Sequence, residues 1–89
     1  MEKAYVLLRV ELGSERDVLN ALEEIPEVKE AHQIHGMQSH CVYDLIIRVE
    51  AETPQEIKDL VEKRTRGIGK IRSILSLICI KEGDVQFGI

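Results

Sequence analysis

The alternation of apolar and polar residues predicts four strands. Residues 4–12 repeat with a period of two, which is typical of a strand, and their apolar face consists of Ala4, Val6, Leu8, Val10 and Leu12. A more polar strand over 28–35 and a third strand over 43–51 flank a turn that begins at Gly36. The fourth strand, 71–81, has a core, ILSLICI, that is apolar on both faces.

Two helices are predicted, one after the first strand and one after the third, because apolar residues recur there at helical spacing. The first begins with Ser14 as its N-cap, and Pro26 ends it. The second opens with the segment TPQE at 53–56, in which the threonine caps the helix and the glutamate reaches back to the cap. Gly67 and Gly69 are expected to end this helix.

The order β-α-β-β-α-β predicts a ferredoxin-like α+β sandwich, with both helices on one face of a four-stranded antiparallel sheet. The 89 residues form one domain, with its core at 4–81 and a C-terminal tail at 83–89. Each half of the chain packs on the central hairpin, so we expect a functional site near the hairpin turn.

The second face of the sheet is predicted to be apolar too, although two helices cover only one face. We assign to it Tyr5, Leu7, Ile46, Ile74, Ile78 and Ile80. Burial of each such side chain is worth ~1.5–3 kcal/mol, and together they would be an aggregation hazard if exposed. We therefore expect a symmetric dimer that packs sheet against sheet.

The composition of the chain limits which partners it can bind and in which cellular compartment it is expected. The net charge of −4 argues against nucleic acid as the main partner. We expect a cytoplasmic protein without a membrane partner, because no apolar run approaches the ~20 residues needed to cross a bilayer and the N-terminus has no signal-peptide pattern. Cys41 and Cys79 suit reduced thiols. The basic residues between Lys63 and Arg72 favour a solvated helix end over an anion site.

Three polar residues in apolar strands are candidates for binding. Asp44 is an acid in an apolar strand, and a buried carboxylate needs either an ion pair, here with Arg9 or Arg48, or a ligand. Ser73 and Ser76 interrupt the last strand, either as small residues that allow close packing or as donors to a bound carboxylate.

The histidines do not form a convincing metal site. His32, His35, His40 and Cys41 are close in sequence, but the first two point to opposite faces of their strand. No nucleophile–base pairing, glycine-rich phosphate loop or pair of carboxylates has a specific spacing. We therefore expect no cofactor, no metal and no catalytic residue.

Four passages, taken in order and spacing, resemble the effector-binding (RAM) domain of the Lrp/AsnC family of transcription regulators over residues 4–81. They are AYVLLRVELG, IPEVKEAHQIHG, YDLIIRVEA and IRSILSLICI. Two features depart from the family pattern. The family glycine stands one or two residues before the aromatic–aspartate pair, whereas here MQSHCVY separates Gly36 from Asp44. The family also favours threonines where this chain has Ser73 and Ser76.

The resemblance implies dimers formed through the sheets and assembled further into octamers or similar rings. It also implies an amino-acid effector held at subunit interfaces near the hairpin turn, with Gly36, Tyr43, Asp44, Ser73 and Ser76 as candidate contacts. Asp44 would accept from the ligand's ammonium group. Backbone N–H groups beside Gly36 and the serine hydroxyls would donate to its carboxylate.

Because no helix-turn-helix precedes the domain in this sequence, we expect a stand-alone regulatory module that does not bind DNA directly. Such a module could join full-length Lrp/AsnC-type regulators and change their response. Two alternatives come from other classes: a small dimeric α+β barrel enzyme, and a structural assembly subunit without a ligand. Three aromatic residues in the chain speak against the enzyme. An ACT-type regulatory domain is close to the first interpretation.

Overall fold

The computed structural model of the chain describes residues 1–36 and 42–80. The strands and helices are β1 (Glu2–Val10), α1 (Glu15–Glu23), β2 (Val28–Gln33), β3 (Leu45–Ala51), α2 (Pro54–Asp59) and β4 (Ile71–Ile78). The sheet has the order β2-β3-β1-β4, and every neighbouring pair is antiparallel. The predicted ferredoxin-like α+β fold is therefore confirmed. Among the described residues, no helix is both long enough and apolar enough to cross a membrane.

The core lies between the sheet and the two helices. Alternate side chains of β1 and β3 point into it, which is the pattern expected of strands with one buried face. The helices and the loop after α1 contribute the other side of the core, through Val18, Leu22, Ile25, Ile57, Leu60 and Val61. Leu12, which was predicted to continue the buried face of the first strand, lies beyond Val10 and is 95% exposed.

Helix α2 begins with the predicted threonine cap, but the glutamate bonds one residue farther back than predicted. The Thr53 hydroxyl accepts a hydrogen bond from the Glu56 N–H at 3.1 Å. The Glu56 carboxylate accepts from the Glu52 N–H at 3.0 Å, one residue before the cap. Helix α1 differs, because Ser14 occupies the N-cap position without a side-chain capping hydrogen bond.

The end of the second helix is more gradual than predicted. The chain continues beyond Asp59 through a π-helical segment, Leu60–Thr65, and a 3₁₀ turn, Arg66–Ile68. Gly67 therefore lies within the helical path and does not end it. Gly69 does, with a φ of 77° that favours glycine over residues with a Cβ.

The prediction for the faces of β4 is wrong. Its pairing with β1 places Ile74 and Ile78 on the helix side, opposite buried residues of β1. Ile80 lies beyond the end of the strand. Leu75 and Leu77 instead point to the other side of the sheet. Because β4 is apolar at both parities, its own sequence does not reveal which side faces the helices.

The uncovered side of the sheet is still apolar at its centre. We call it the open face, and its apolar residues are Tyr5, Leu7, Ile46, Leu75 and Leu77. On the same face the Arg48 guanidinium lies between two carboxylates. It is 3.2 Å from the Glu30 carboxylate and also pairs with Glu50. The open face thus combines an apolar centre with a charged row.

Candidate ligand-binding site

A cavity of about 710 Å³ lies at one end of the sheet, where β1 ends and where β3 and β4 begin. We call it the end cavity. Its polar lining consists of Arg9, Glu11, Glu15, Asp44, Arg72 and Ser73, and its apolar lining of Val10, Leu12 and Val42. Its volume falls in the ~300–1,000 Å³ range of small-molecule sites.

Asp44 connects the strands at this end of the sheet. Its N–H donates to the Leu8 carbonyl at 2.8 Å, and its carbonyl accepts from the Ile34 N–H at 2.8 Å. Its carboxylate Oδ2 accepts from the Val10 N–H at 2.9 Å. The pairing of β3 with β2 therefore continues to Asp44. On the β1 side Asp44 donates to Leu8, which is already the register partner of Leu45, and the Asp44 side chain accepts from Val10.

The ion pair considered for Asp44 does not form among the described residues. The carboxylate contacts a backbone N–H, while Arg48 pairs with Glu30 and Glu50. The Val10 N–H lies where the register between β1 and β4 shifts. Asp44 therefore satisfies a backbone donor at an irregular point of the sheet through Oδ2. Within the described part of the chain, Oδ1 has no hydrogen-bond partner.

The lining of the end cavity carries both signs of charge. Arg9 and Arg72 contribute two guanidinium groups, and three carboxylates stand around them. Arg72 Nη2 lies 3.7 Å from Glu11 Oε2, and both side chains are at least half exposed. Such exposed pairs contribute only ~0–1 kcal/mol, so this pair is easily rearranged by a ligand.

The structure brings together two of the five predicted site residues. Asp44 and Ser73 line the end cavity. Ser76 lies on the helix side of β4, where it lines a separate groove beside α2. Gly36 and Tyr43 are half-buried and are not part of the described lining.

Two arginines of the cavity were not identified as site residues from the sequence. Arg9 had been considered only as a salt-bridge partner, and Arg72 had been grouped with the basic residues that follow the second helix. The register pairs Arg9 directly with Ser73, which places the arginine next to a predicted contact. Arg9 could have been identified from the sequence only if the register between β1 and β4 were known. The apolar pattern of β4 does not determine that register.

Apart from Arg72, the basic residues between Lys63 and Arg72 do not line the end cavity, and neither do His32 and His35. Lys70 pairs with Asp17 at 3.1 Å, separately from Arg72 in the cavity. His32 and His35 are exposed, while His40 and Cys41 fall outside the described residues. Across residues 1–36 and 42–80, no three histidine, cysteine or acidic side chains are grouped so that they could hold a metal ion.

Solved structures include proteins with the same fold. The chain is 32% identical to FFRP-DM1, with a TM-score of 0.80, and the match covers 90% of this chain and all of FFRP-DM1. No curated protein is similar to the chain in sequence.

Two more distant neighbours share the fold alone. A transcriptional regulator from Neisseria meningitidis, NMB0573, solved in complex with L-Met, is 12% identical with a TM-score of 0.78, and the match covers 99% of this chain and 55% of the regulator. The siroheme decarboxylase NirDL is 17% identical with a TM-score of 0.78, and the match covers 91% of this chain and 26% of the enzyme. The model of the Lrp/AsnC ligand binding domain matches residues 3–85 of the sequence, so the chain belongs to this family.

Proposed function

We propose that this chain is a regulatory module that binds a free amino acid in the end cavity. The supporting observation is the mixed charge of that cavity, in which Asp44 and Ser73 stand beside Arg9 and Arg72. A free amino acid carries a carboxylate and an ammonium group close together, so its site needs donors and acceptors within a few ångströms of each other. A site for a simple anion would need the arginines without the acids.

Each end of the ligand has a suitable group. A guanidinium can hold the ligand's carboxylate through two parallel hydrogen bonds, and the Ser73 hydroxyl can add a third. Asp44 Oδ1 can accept from the ammonium group while Oδ2 keeps its bond to the Val10 N–H. In this arrangement Asp44 acts both in the fold and in binding, which makes it the residue to test first.

A second subunit would complete the site. The open face needs a partner, and a second copy of the chain, packed sheet against sheet, satisfies it. Arg9 and Ser73 lie at the edge of that face, so a partner surface there would narrow the cavity and exclude water. Further assembly into an octamer or a similar ring, and association with full-length Lrp/AsnC-type regulators in the cytoplasm, belong to the same proposal.

Family membership supports the regulatory role, and the fold of the L-Met-bound regulator supports an amino acid as the ligand class. The decarboxylase neighbour keeps an enzyme as an alternative, but its likeness extends to the fold alone. His32 and His35 do not line the end cavity, so the described cavity offers no imidazole for proton transfer. The other alternative is a structural subunit without a ligand. The binding experiment below distinguishes it from an amino-acid-binding module.

The first experiment measures thermal unfolding with each of the twenty amino acids. A ligand present at a hundred times its dissociation constant adds ~2.7 kcal/mol to the free energy of unfolding, which gives a clear shift. At least one amino acid should raise the midpoint. If none does, the proposal of an amino-acid effector fails and a structural subunit is favoured.

The second experiment is calorimetry on Asp44→Asn with the amino acid that gives the largest shift. The amide keeps an acceptor for the Val10 N–H but removes the charge, so binding should weaken by ~1.5–3 kcal/mol while the oligomer stays intact. Glu23→Gln is the matched control, because it makes the same chemical change on the exposed end of α1. Unchanged affinity would remove Asp44 from the site, and dissociation of the oligomer would assign it a structural role instead.

A further inference from the structure

A small cavity lies at the outer edge of β4, beside the turn that precedes the strand. We call it the edge cavity. Its volume is about 100 Å³, and its lining consists of Arg66, Ile71, Arg72, Ser73 and Ile74. This lining contains no residue of β1, and β4 is the last strand of the described sheet. The edge cavity therefore lies on the side of β4 that faces away from β1.

The charge of the edge cavity differs from that of the end cavity. It has two guanidinium groups and, among the described residues that line it, no carboxylate. In the end cavity, three acids stand beside the two arginines. A lining with cations and without acids suits an anion, because guanidinium groups bind oxyanions through paired N–H donors. The volume corresponds to about three water molecules at ~30 Å³ each, which is room for one small oxyanion.

The two arginines of the edge cavity come from opposite sides of one turn. Arg66 begins the 3₁₀ turn after the second helix, and Arg72 is the second residue of β4. Between them Gly69 and Lys70 have φ values of 77° and 62°. The left-handed region is uncommon for a residue with a Cβ, so this is a sharply bent backbone. The turn brings two side chains that are separated along the chain to one cavity.

Arg72 is also the extra residue of a β-bulge. Arg9 pairs with Ser73 and Val10 pairs with Ile71, so Arg72 has no register partner in β1. A bulge bends its strand and re-aims a side chain, and bulges are common next to functional sites. Here the bulged residue lines both the end cavity and the edge cavity.

Both guanidinium groups are available to a ligand. Arg66 is exposed and makes no ion pair within the described part of the chain. Arg72 lies 3.7 Å from Glu11, and this long contact between two exposed side chains contributes little. An anion between the two arginines therefore displaces no strong interaction.

The neighbouring basic residues lie in a different environment. Lys63 and Arg64 line another cavity, together with acidic residues. Arg66 and Arg72 line the edge cavity, where the described lining has no acid. The charge pattern along the sequence does not distinguish these two pairs, but their positions around the turn do.

The outer edge of β4 adds a backbone donor. The Cys79 N–H donates to the Lys3 carbonyl at 2.9 Å. Successive residues of an antiparallel strand direct their backbone groups to opposite edges, so the N–H of Ile74 points away from β1. Within the described sheet no strand pairs with this edge. Because Ile74 lines the edge cavity, its N–H is a third donor for an anion there.

We propose that the edge cavity binds one small tetrahedral oxyanion, either inorganic phosphate or the phosphoryl group of a larger molecule. Arg66, Arg72 and the Ile74 N–H donate to its oxygens. Donors from three separate groups suit the three free oxygens of a phosphoryl group better than the two oxygens of a carboxylate. The proposal does not depend on the amino-acid site, because Arg66 and Ile74 do not line the end cavity.

The first test is calorimetric titration with inorganic phosphate at constant ionic strength. Arg66→Gln removes a charged donor and should weaken phosphate binding by ~10-fold or more. Arg64→Gln is the matched control, because it makes the same change at another exposed position of the segment, outside the edge cavity. Its affinity should stay within about twofold of the natural chain. Absence of phosphate binding to the natural chain, or equal losses in the two variants, would overturn the proposal.

The second test locates the anion through backbone amide shifts in ¹⁵N-labelled protein. Phosphate should shift the Ile74 amide several-fold more than the Ile78 amide. Ile78 is the matched position, because its N–H also points to the outer edge of β4 but the residue does not line the edge cavity. Equal shifts at the two amides would show that phosphate does not bind in this cavity.

The third test identifies the chemical class of the anion. Acetate at the same ionic strength should bind several-fold more weakly than phosphate, because it leaves one donor unmatched. Glycerol phosphate distinguishes the two sources of the oxyanion. Tighter binding of this ester would assign the cavity to the phosphoryl group of a larger molecule, and equal or weaker binding would assign it to the free anion. Acetate that binds as tightly as phosphate would refute a tetrahedral oxyanion as the ligand.

Discussion

At the scale of single residues, Asp44 shows why a charged side chain occurs in an apolar strand. Its backbone links β2 and β1, and its carboxylate accepts the Val10 N–H where the register of the sheet shifts. A backbone donor left without an acceptor in a half-buried position destabilises the fold by about 1–3 kcal/mol. The acid therefore has a structural role that is independent of any ligand.

This role leads to a prediction for stability. Asp44→Ala removes the acceptor and should lower the free energy of unfolding by about 1–3 kcal/mol, whereas Asp44→Asn retains an acceptor and should cost less. Urea unfolding of both variants provides the comparison. If the two variants are equally unstable, the charge matters more than the hydrogen bond.

A second prediction at this scale compares Leu8 and Leu12, which the sequence pattern assigns to the same face of the first strand. Leu8 is fully buried, so Leu8→Ala should cost about 2–5 kcal/mol through lost contacts and a cavity. Leu12 is 95% exposed, and Leu12→Ala should stay within about 0.5 kcal/mol of the natural chain. Both are measured by chemical denaturation. A large loss in Leu12→Ala would show that this side chain is covered in the assembled protein.

At the scale of elements, the two helices begin in different ways. The Thr53 hydroxyl caps α2 directly, and the Glu56 carboxylate satisfies a second backbone N–H just before the cap. Ser14 is of an equally suitable residue type, yet its side chain makes no capping bond to α1. The residue type at a cap position thus indicates where a helix begins, while the local backbone decides whether the hydrogen bond forms.

The difference can be measured with a matched pair of alanine variants. Thr53→Ala should lower the free energy of unfolding by about 1 kcal/mol, because it removes a capping acceptor. Ser14→Ala should cost less, because no such bond is lost. Thermal and urea unfolding monitored by circular dichroism would compare them. A larger effect of Ser14→Ala would mean that the start of α1 is stabilised by its serine hydroxyl after all.

At the scale of the whole molecule, the open face is the feature that the isolated chain leaves unexplained. Five apolar side chains lie at its centre, and Leu77 is 52% exposed. An apolar patch of this kind on a 10.1 kDa chain is typical of an interaction surface. We therefore expect sedimentation at micromolar concentration to show a dimer or a larger oligomer and essentially no monomer.

Two substitutions on neighbouring positions of β4 locate that interface. Leu77→Asp places a charge on the open face and should shift the sedimentation equilibrium towards monomer. Ser76→Asp introduces the same group on the helix side of the strand and should leave the oligomer intact. A Leu77→Asp protein that sediments like the natural chain would exclude packing through the open face.

The sequence by itself determined the order of the elements. Alternation in the first and third strands, the Thr53 cap and the glycine at 69 are local signals, because they arise from backbone geometry within a few residues. These signals were sufficient for the ferredoxin-like fold and for the buried faces of β1 and β3. The sequence also named Asp44 and Ser73 as candidate contacts, and the structure places both in the lining of the end cavity.

Only the tertiary structure decided how β4 is oriented and what surrounds Asp44. β4 is apolar on both faces, so its register against β1 had to select which leucines and isoleucines face the helices. The same register separates Ser76 from Ser73 and brings Arg9 and Arg72 into the end cavity. The period of two in a strand defines its two faces but does not show which of them is buried. Pairing with a strand distant in sequence decides this.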